Sequence, residues 1–247
     1  MTTRTRAVFF DFGGTLFSYS ALAHTGFRHL VSEAVERLGA AASLSEAGRA
    51  YGKASAESML DFTPKPYYLH RDMFLDGYRR FARAIGHEAD AAFLEWIYQR
   101  QRTLFLDACA LRPGCLETLR AMREGGLHVA IVSNIDDDYL LPMMEKVGLD
   151  RVLNAWTSSE EARSCKPDGA IFDYAMKKAG VSAAESTFVG DSPVHDIAGA
   201  QRVGMRAVLI QEPGQRAPGT REGEGAAADH VIEELPELLP IVLAESS

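Results

Sequence analysis

Short apolar, β-branched runs recur along the chain at 7–10, 127–132 (Leu-His-Val-Ala-Ile-Val), 187–189 and 206–210, with weaker ones near 152–157 and 230–232. Runs of this length, bounded by turn residues, read as strands buried on both faces. From residue 113 onward they alternate with helical periodicities over about 114–125, 137–147, 168–180, 196–203 and 233–243. The punctuation agrees. Gly125-Gly126 and Gly180 stand where helices should stop, and Pro113, Pro142 and Pro167 stand near helix starts. Strands alternating with helices predict a parallel sheet covered on both sides.

Residues 18 to about 107 follow another rule. They carry helical periodicities over 22–39, 43–60, 71–86 and 89–107 and no convincing strand. The chain therefore reads as an α/β protein. A Rossmann-like three-layer core with a central parallel sheet (1–17 and 108–247) is interrupted after its first strand by an all-helical cap (18–107). Glu212 to Ala228, rich in Gly, Pro and charge, reads as a surface loop before the last strand. There is no internal repeat.

Composition narrows the function classes. In 247 residues, 47% are hydrophobic and 24% charged, as in an ordinary globular protein. The net charge of −8 and the lack of any Lys/Arg-rich run disfavour nucleic acid and anionic membranes as partners. No apolar run approaches the roughly 20 residues that span a bilayer. Ala7 to Phe10 is too short for a signal-peptide core. Cys109, Cys115 and Cys165 form no CxxC and leave an odd count, which argues against disulfides or zinc. A cytoplasmic, reducing setting is expected.

In open parallel sheets, ligands bind beyond the carboxyl ends of the strands. The residues that follow the predicted strands are Asp11-Phe12-Gly13-Gly14-Thr15-Leu16, Ser133-Asn134, Cys165-Lys166-Pro167-Asp168 and Gly190-Asp191-Ser192-Pro193-Val194-His195-Asp196. Taken singly, each is an ordinary turn or cap. Together they would bring acids, a hydroxyl and an amine to one edge of the sheet.

These residues resemble the haloacid dehalogenase superfamily across essentially the whole chain outside the cap. Asp11-x-x-Gly14-Thr15-Leu16 is similar to its first motif, Ile-Val-Ser133-Asn134 to its second and Lys166-Pro167-Asp168 to its third. The fourth and most specific is Gly190-Asp191-Ser192-x-x-x-Asp196-Ile-Ala-Gly-Ala. The helical insertion and Leu111-Arg112-Pro113-Gly114 resemble the subgroup with a C1-type cap. The resemblance implies a Mg²⁺-dependent phosphatase acting on a small phosphorylated metabolite, as a monomer or homodimer. Asp11 would be the nucleophile that forms an aspartyl-phosphate. A hard, oxygen-preferring cation would sit between carboxylate and phosphate. Its ligands would be Asp11, the Gly13 carbonyl and Asp191, with Asp196 near or through water. Lys166 would neutralise charge. Ser133 and backbone N–H groups around Gly14, Thr15 and Asn134 would hold phosphoryl oxygens, and Thr15 would order the first loop.

One position departs from the pattern. Most phosphatases of the superfamily carry a second Asp, a general acid/base, where this chain has Gly13. Losing such a group costs roughly 10²–10⁴ in rate, or about 3–5 kcal/mol. A water or a cap residue could supply the proton, the leaving group could be acidic enough to depart unaided, or turnover could be lost in a member that only binds. Haloacid dehalogenases also lack the second Asp, but they need no metal and lack the Gly-Asp-Ser motif, so Asp191 and Asp196 speak against dehalogenation. Phosphonoacetaldehyde hydrolases use a cap lysine, for which Lys53 is the candidate here against its plainer reading as a solvated helix lysine.

The cap should choose the substrate. Its candidate specificity segment is Phe62 to Asp72, which contains two prolines, two tyrosines, His70 and Arg71, and which reads equally as a packed connection. His24 is a candidate proton donor, and His195 is read as ordering the fourth-motif loop. Phe74, Tyr78, Phe81, Phe93 and Trp96, at helical spacing, read as cap core.

Overall fold

The computed structural model describes residues 4–18, 26–211 and 226–243. His24 and residues 212–225 of the expected surface loop lie outside them. The chain divides into two compact units, residues 1–18 with 110–247, and residues 19–109.

The first unit is built on six parallel strands: β1 (Ala7–Phe10), β2 (His128–Ser133), β3 (Ala155–Ser158), β4 (Ser186–Gly190), β5 (Arg206–Ile210) and β6 (His230–Ile232). Their spatial order is β3-β2-β1-β4-β5-β6. Winding runs one way from β1 through β2 to β3 and the other way from β4 to β6, so the switch point falls between β1 and β4. Register is tight there, with Phe10 opposite Ile131 on one side and Val189 on the other. Helices flank the sheet, as the alternation of strands and helices predicts. Ala7, Phe9, Ala130 and Phe188 pack on one face with Ile171, Phe172 and Met176 of the helix Gly169–Ala179. Val8, Phe10, Val129 and Ile131 alternate to the other face, and all four are completely buried.

The second unit holds α1 (Gly26–Leu38), α2 (Leu44–Phe62), α3 (His70–Ala84) and α4 (Ala91–Ala108). A Ser43/Glu46 capping box starts α2, and Asp90 caps the Phe93 N–H at the start of α4. Tyr78, Phe81 and Phe93 are buried in its core, with Phe74 and Trp96 packed against them. Among the described residues no helix is long and apolar enough to cross a membrane.

The remaining helices are α5 (Cys115–Glu124), α6 (Asp137–Val147), α7 (Ser159–Ala162), α8 (Gly169–Ala179), α9 (Ala198–Arg202) and α10 (Leu238–Leu243). Gly125 and Gly180 end α5 and α8 as expected. Pro142 departs from expectation: it lies inside α6 rather than at its start. It forfeits one intrahelical hydrogen bond there, a loss that the buried Leu140, Met143 and Met144 offset by packing. The helix expected over 196–203 begins earlier, as a single π-helical turn over Pro193–Ile197 that continues into α9.

Candidate active site

Four loops leave the carboxyl ends of β1, β2, β3 and β4 and meet at the switch point. Asp11 follows β1 directly, and its backbone N–H extends the ladder to the Val189 carbonyl at 2.9 Å. Ser133 ends β2, and its hydroxyl donates to Asp11 Oδ1 at 2.8 Å. Lys166 reaches the same oxygen with Nζ at 2.6 Å and also bonds Asp196 Oδ1 at 2.6 Å. Asp196 sits in the π-helical turn after β4, and its Oδ2 accepts the Ser192 N–H at 2.9 Å. The widened turn aims this side chain back at Gly190, where an added Cβ would lie 2.4 Å from the carboxylate.

The first-motif loop is equally close-fitting. Gly14 has φ +86°, and a Cβ on it would fall 2.2 Å from Asp191 Oδ2. Only glycine satisfies both the left-handed backbone and that approach. Gly13 is half-buried and bridges to Phe17. Thr15 is fully buried, and among the described residues its hydroxyl has no hydrogen-bond partner, so its side chain meets the loop by packing.

Asp11, Asp191 and Asp196 offer ligand atoms that all lie within 4.8 Å of one another. Burial first, and then the Asp11 and Asp196 carboxylates, push the Asp191 carboxyl up to about 8, against the pull of Lys166. Burial also raises Asp196, to about 6; Lys166 opposes this and Asp11 adds to it. Burial disfavours the Lys166 ammonium, but the two carboxylates bonded to it more than compensate and its pKa is raised. One ammonium among three carboxylates, two buried and that of Asp191 half-buried, leaves negative charge uncompensated. A hard divalent cation with oxygen ligands fits that donor set.

The structure thus brings Asp11, Ser133, Lys166, Asp191 and Asp196 together around Gly13, Gly14 and Thr15. Asn134 is close by, but its side chain is committed elsewhere. Its Oδ1 accepts the Lys166 N–H at 2.6 Å and its Nδ2 donates to the Lys166 carbonyl at 2.8 Å. His195 Nδ1 lies 3.1 Å from the same carbonyl. Burial, and then Lys166, lower the pKa of this histidine. A Ser-Asn pair after a strand gives no hint of a clamp on a residue 32 positions away, so sequence reasoning missed it.

His70 and Arg71 belong to the helical unit and have partners within it. Arg71 pairs with Glu95 at 2.9 Å and lies over the Tyr98 ring, while His70 packs on Tyr68 and Phe74. Lys65 sits 3.7 Å from the centroid of the Phe62 ring. Lys53 is largely exposed beside Glu57, as a solvated helix lysine would be.

The model of the haloacid dehalogenase-like hydrolases matches residues 5–204. The chain belongs to this family. This haloacid dehalogenase-like hydrolase is 33% identical over 142 residues to a ribulose-1,5-bisphosphate 5-phosphatase of Halopiger xanaduensis, a match covering 56% of the chain and 59% of that protein. It is 34% identical over 130 residues to (S)-2-haloacid dehalogenase 4A of Burkholderia cepacia, covering 53% and 54%. The hydrolase thus spans little more than half the length of these relatives. Its fold is similar to that of a putative HAD-hydrolase from Bacillus subtilis, with a TM-score of 0.75, 19% identity and coverage of 97% and 99%.

Proposed function

We propose that the chain is a Mg²⁺-dependent phosphatase that hydrolyses a small phosphorylated metabolite through an aspartyl-phosphate on Asp11. The convergence of Asp11, Lys166, Asp191 and Asp196, with both Lys166 bonds at 2.6 Å, carries the reading. An Asp11 oxygen attacks phosphorus, and the bond to the ester oxygen breaks with its electron pair. The leaving oxygen then takes up a proton. Water attacks the same phosphorus, releasing phosphate and regenerating the Asp11 carboxylate.

Asp11, the Gly13 carbonyl and Asp191, with Asp196 near or through water, would hold Mg²⁺. The ion would offset the repulsion between carboxylate and phosphate. Lys166 and Ser133 orient Asp11 and hold positive charge and a donor where phosphoryl oxygens arrive. Backbone N–H groups of Thr15 and Asn134 complete that cradle. Thr15 acts here through its backbone alone, and so does Asn134. The helical unit selects the substrate, with His70 and Arg71 as its contributors. With glycine at position 13 the loop offers no general acid, which favours acidic leaving groups such as aryl, acyl or anomeric phosphates.

A second reading has one observation behind it: the second Asp is absent here, where the chain has Gly13, as it is absent from haloacid dehalogenases, and one relative is a dehalogenase. Asp191 and Asp196 speak against it, because a metal-free displacement of halide has no use for three carboxylates clustered as cation ligands. The deciding experiment measures phosphate release from esters running from aryl to alkyl, with and without Mg²⁺. Chloride release from 2-chloropropionate is followed in parallel, and Asp11→Asn is the blank. Mg²⁺-dependent phosphate release that is lost in the blank is the expected outcome. Chloride release instead, or no turnover of any ester, defeats the reading, and the latter points to a member that only binds.

A further inference from the structure

We propose that Arg112 is a positioning residue for the nucleophile loop, holding the Gly13-Gly14 segment in the conformation that keeps Asp11 and Asp191 in register. Arg112 lies on the segment that returns the chain from the helical unit to β2, and its sequence context, before Pro113-Gly114, marks a helix start and gives its side chain no role. Its guanidinium instead donates twice to the Gly14 carbonyl, from Nη2 at 2.5 Å and from Nε at 3.2 Å. Its own backbone N–H donates to the Leu16 carbonyl at 2.9 Å. The neighbouring Leu111 bridges antiparallel to Phe17. Phe17 in turn receives the Gly14 N–H at its carbonyl, at 2.8 Å. Both ends of the Gly14 residue are therefore tied, the N–H within the loop and the carbonyl to Arg112.

The chemistry explains why such a tie is needed. Two consecutive glycines make the least restrained backbone available, and this loop has them one residue beyond the nucleophile, after Phe12. Gly14 must also keep φ at +86° while lying against Asp191, where even a Cβ would reach within 2.2 Å of Oδ2. A small rotation of the Gly14–Thr15 peptide would move the loop into or away from that carboxylate. A planar guanidinium gripping one carbonyl through two N–H groups fixes the direction of that peptide, which a lysine ammonium does not. The inference rests on the phosphatase reading only for its catalytic consequence. The loop restraint itself can be measured without turnover.

The experiment compares full-length wild type, Arg112→Ala and Arg112→Lys. The control is Arg123→Ala, which removes a 2.9 Å Arg–carbonyl bond to Val152 elsewhere in the same unit. Amide hydrogen exchange over residues 11–17, Mg²⁺ binding by calorimetry with the metal alone, and steady-state turnover of an aryl phosphate are read on each. In Arg112→Ala, loop amides should exchange about ten-fold faster and Mg²⁺ should bind more weakly. Its kcat should fall by about ten- to a hundred-fold with KM nearly unchanged, the scale of a small misplacement of reacting groups. Millimolar guanidinium should restore part of that loss. Arg112→Lys should show the same signs without rescue, and Arg123→Ala none of them; if Arg112→Ala does not fold, the lysine variant decides. Unchanged loop exchange overturns the proposal. So does faster exchange with wild-type kcat and Mg²⁺ binding, because the bond would then be merely structural. If wild type releases no phosphate from any ester, the phosphatase reading fails, while loop exchange and Mg²⁺ calorimetry still decide the restraint.

Discussion

Lys166 shows how much of this site is decided one side chain at a time. Its ammonium is buried between Asp11 and Asp196, and its backbone N–H and carbonyl are both taken by the Asn134 amide. Asn134→Ala should leave the buried Lys166 N–H unsatisfied and its carbonyl with only His195 nearby, destabilising the protein by about 1–3 kcal/mol and lowering kcat. Asn134→Asp should be worse, because an oxygen would then face the Lys166 carbonyl. Urea unfolding together with turnover checks both. An Asn134→Ala variant as stable and as fast as wild type would remove the clamp from the account. At Gly13 the expectation runs the other way. Gly13→Asp should leave Mg²⁺ binding intact and speed turnover of alkyl phosphates, since it restores an acid beside the leaving group. Slower turnover of every ester in the panel would mean that the space is needed for something else.

Elements carry these residues to one place, and the elements were far easier to foresee than the contacts. All six strands follow from short apolar runs, because strands buried on both faces leave few alternatives to β-branched and aromatic residues. Asp11, Ser133 and Asp191 were legible for the same reason: each stands at the end of such a run. The clamp by Asn134 and the early start of the helix at Pro193 were not. They depend on loops meeting in space and on a turn that bends Asp196 towards Gly190, neither of which leaves a periodic trace. In the helical unit, α1 and α4 are joined by Arg100, whose Nε and Nη2 bond Glu33 at 2.7 and 2.8 Å. That hydrogen bonding holds the Glu33 pKa below the ordinary carboxylate value. A depressed folded-state pKa gives stability that is present above the unfolded value and is lost as pH falls through the folded one. Glu33→Gln should therefore flatten the acid side of the melting-temperature profile below about pH 4.5. It should change neutral-pH stability by no more than about 1 kcal/mol, because the pair is partly solvated. A profile identical to wild type would show that the pair contributes nothing.

At the scale of the whole molecule, the question is what the sheet does with the charge it gathers. A switch point between β1 and β4 places Asp11 and Asp191 side by side, and the turn after β4 adds Asp196. Folding thus forces like charges together in a buried setting, and Lys166 answers only part of that repulsion. A ligand that binds the folded state alone raises its stability by mass action, by about 2.7 kcal/mol at a hundred times its dissociation constant. Mg²⁺ should accordingly raise the melting temperature of the wild-type chain by several degrees. Na⁺ at equal ionic strength should not, since general screening cannot replace a coordinated dication. Asp191→Asn should melt higher than wild type without metal, because it relieves the repulsion, and should gain almost nothing from Mg²⁺. Those opposite signs separate a metal centre from three carboxylates that merely fold together. A variant that melts lower without metal and keeps the full Mg²⁺ shift would place the cation elsewhere and take Asp191 out of its ligand set.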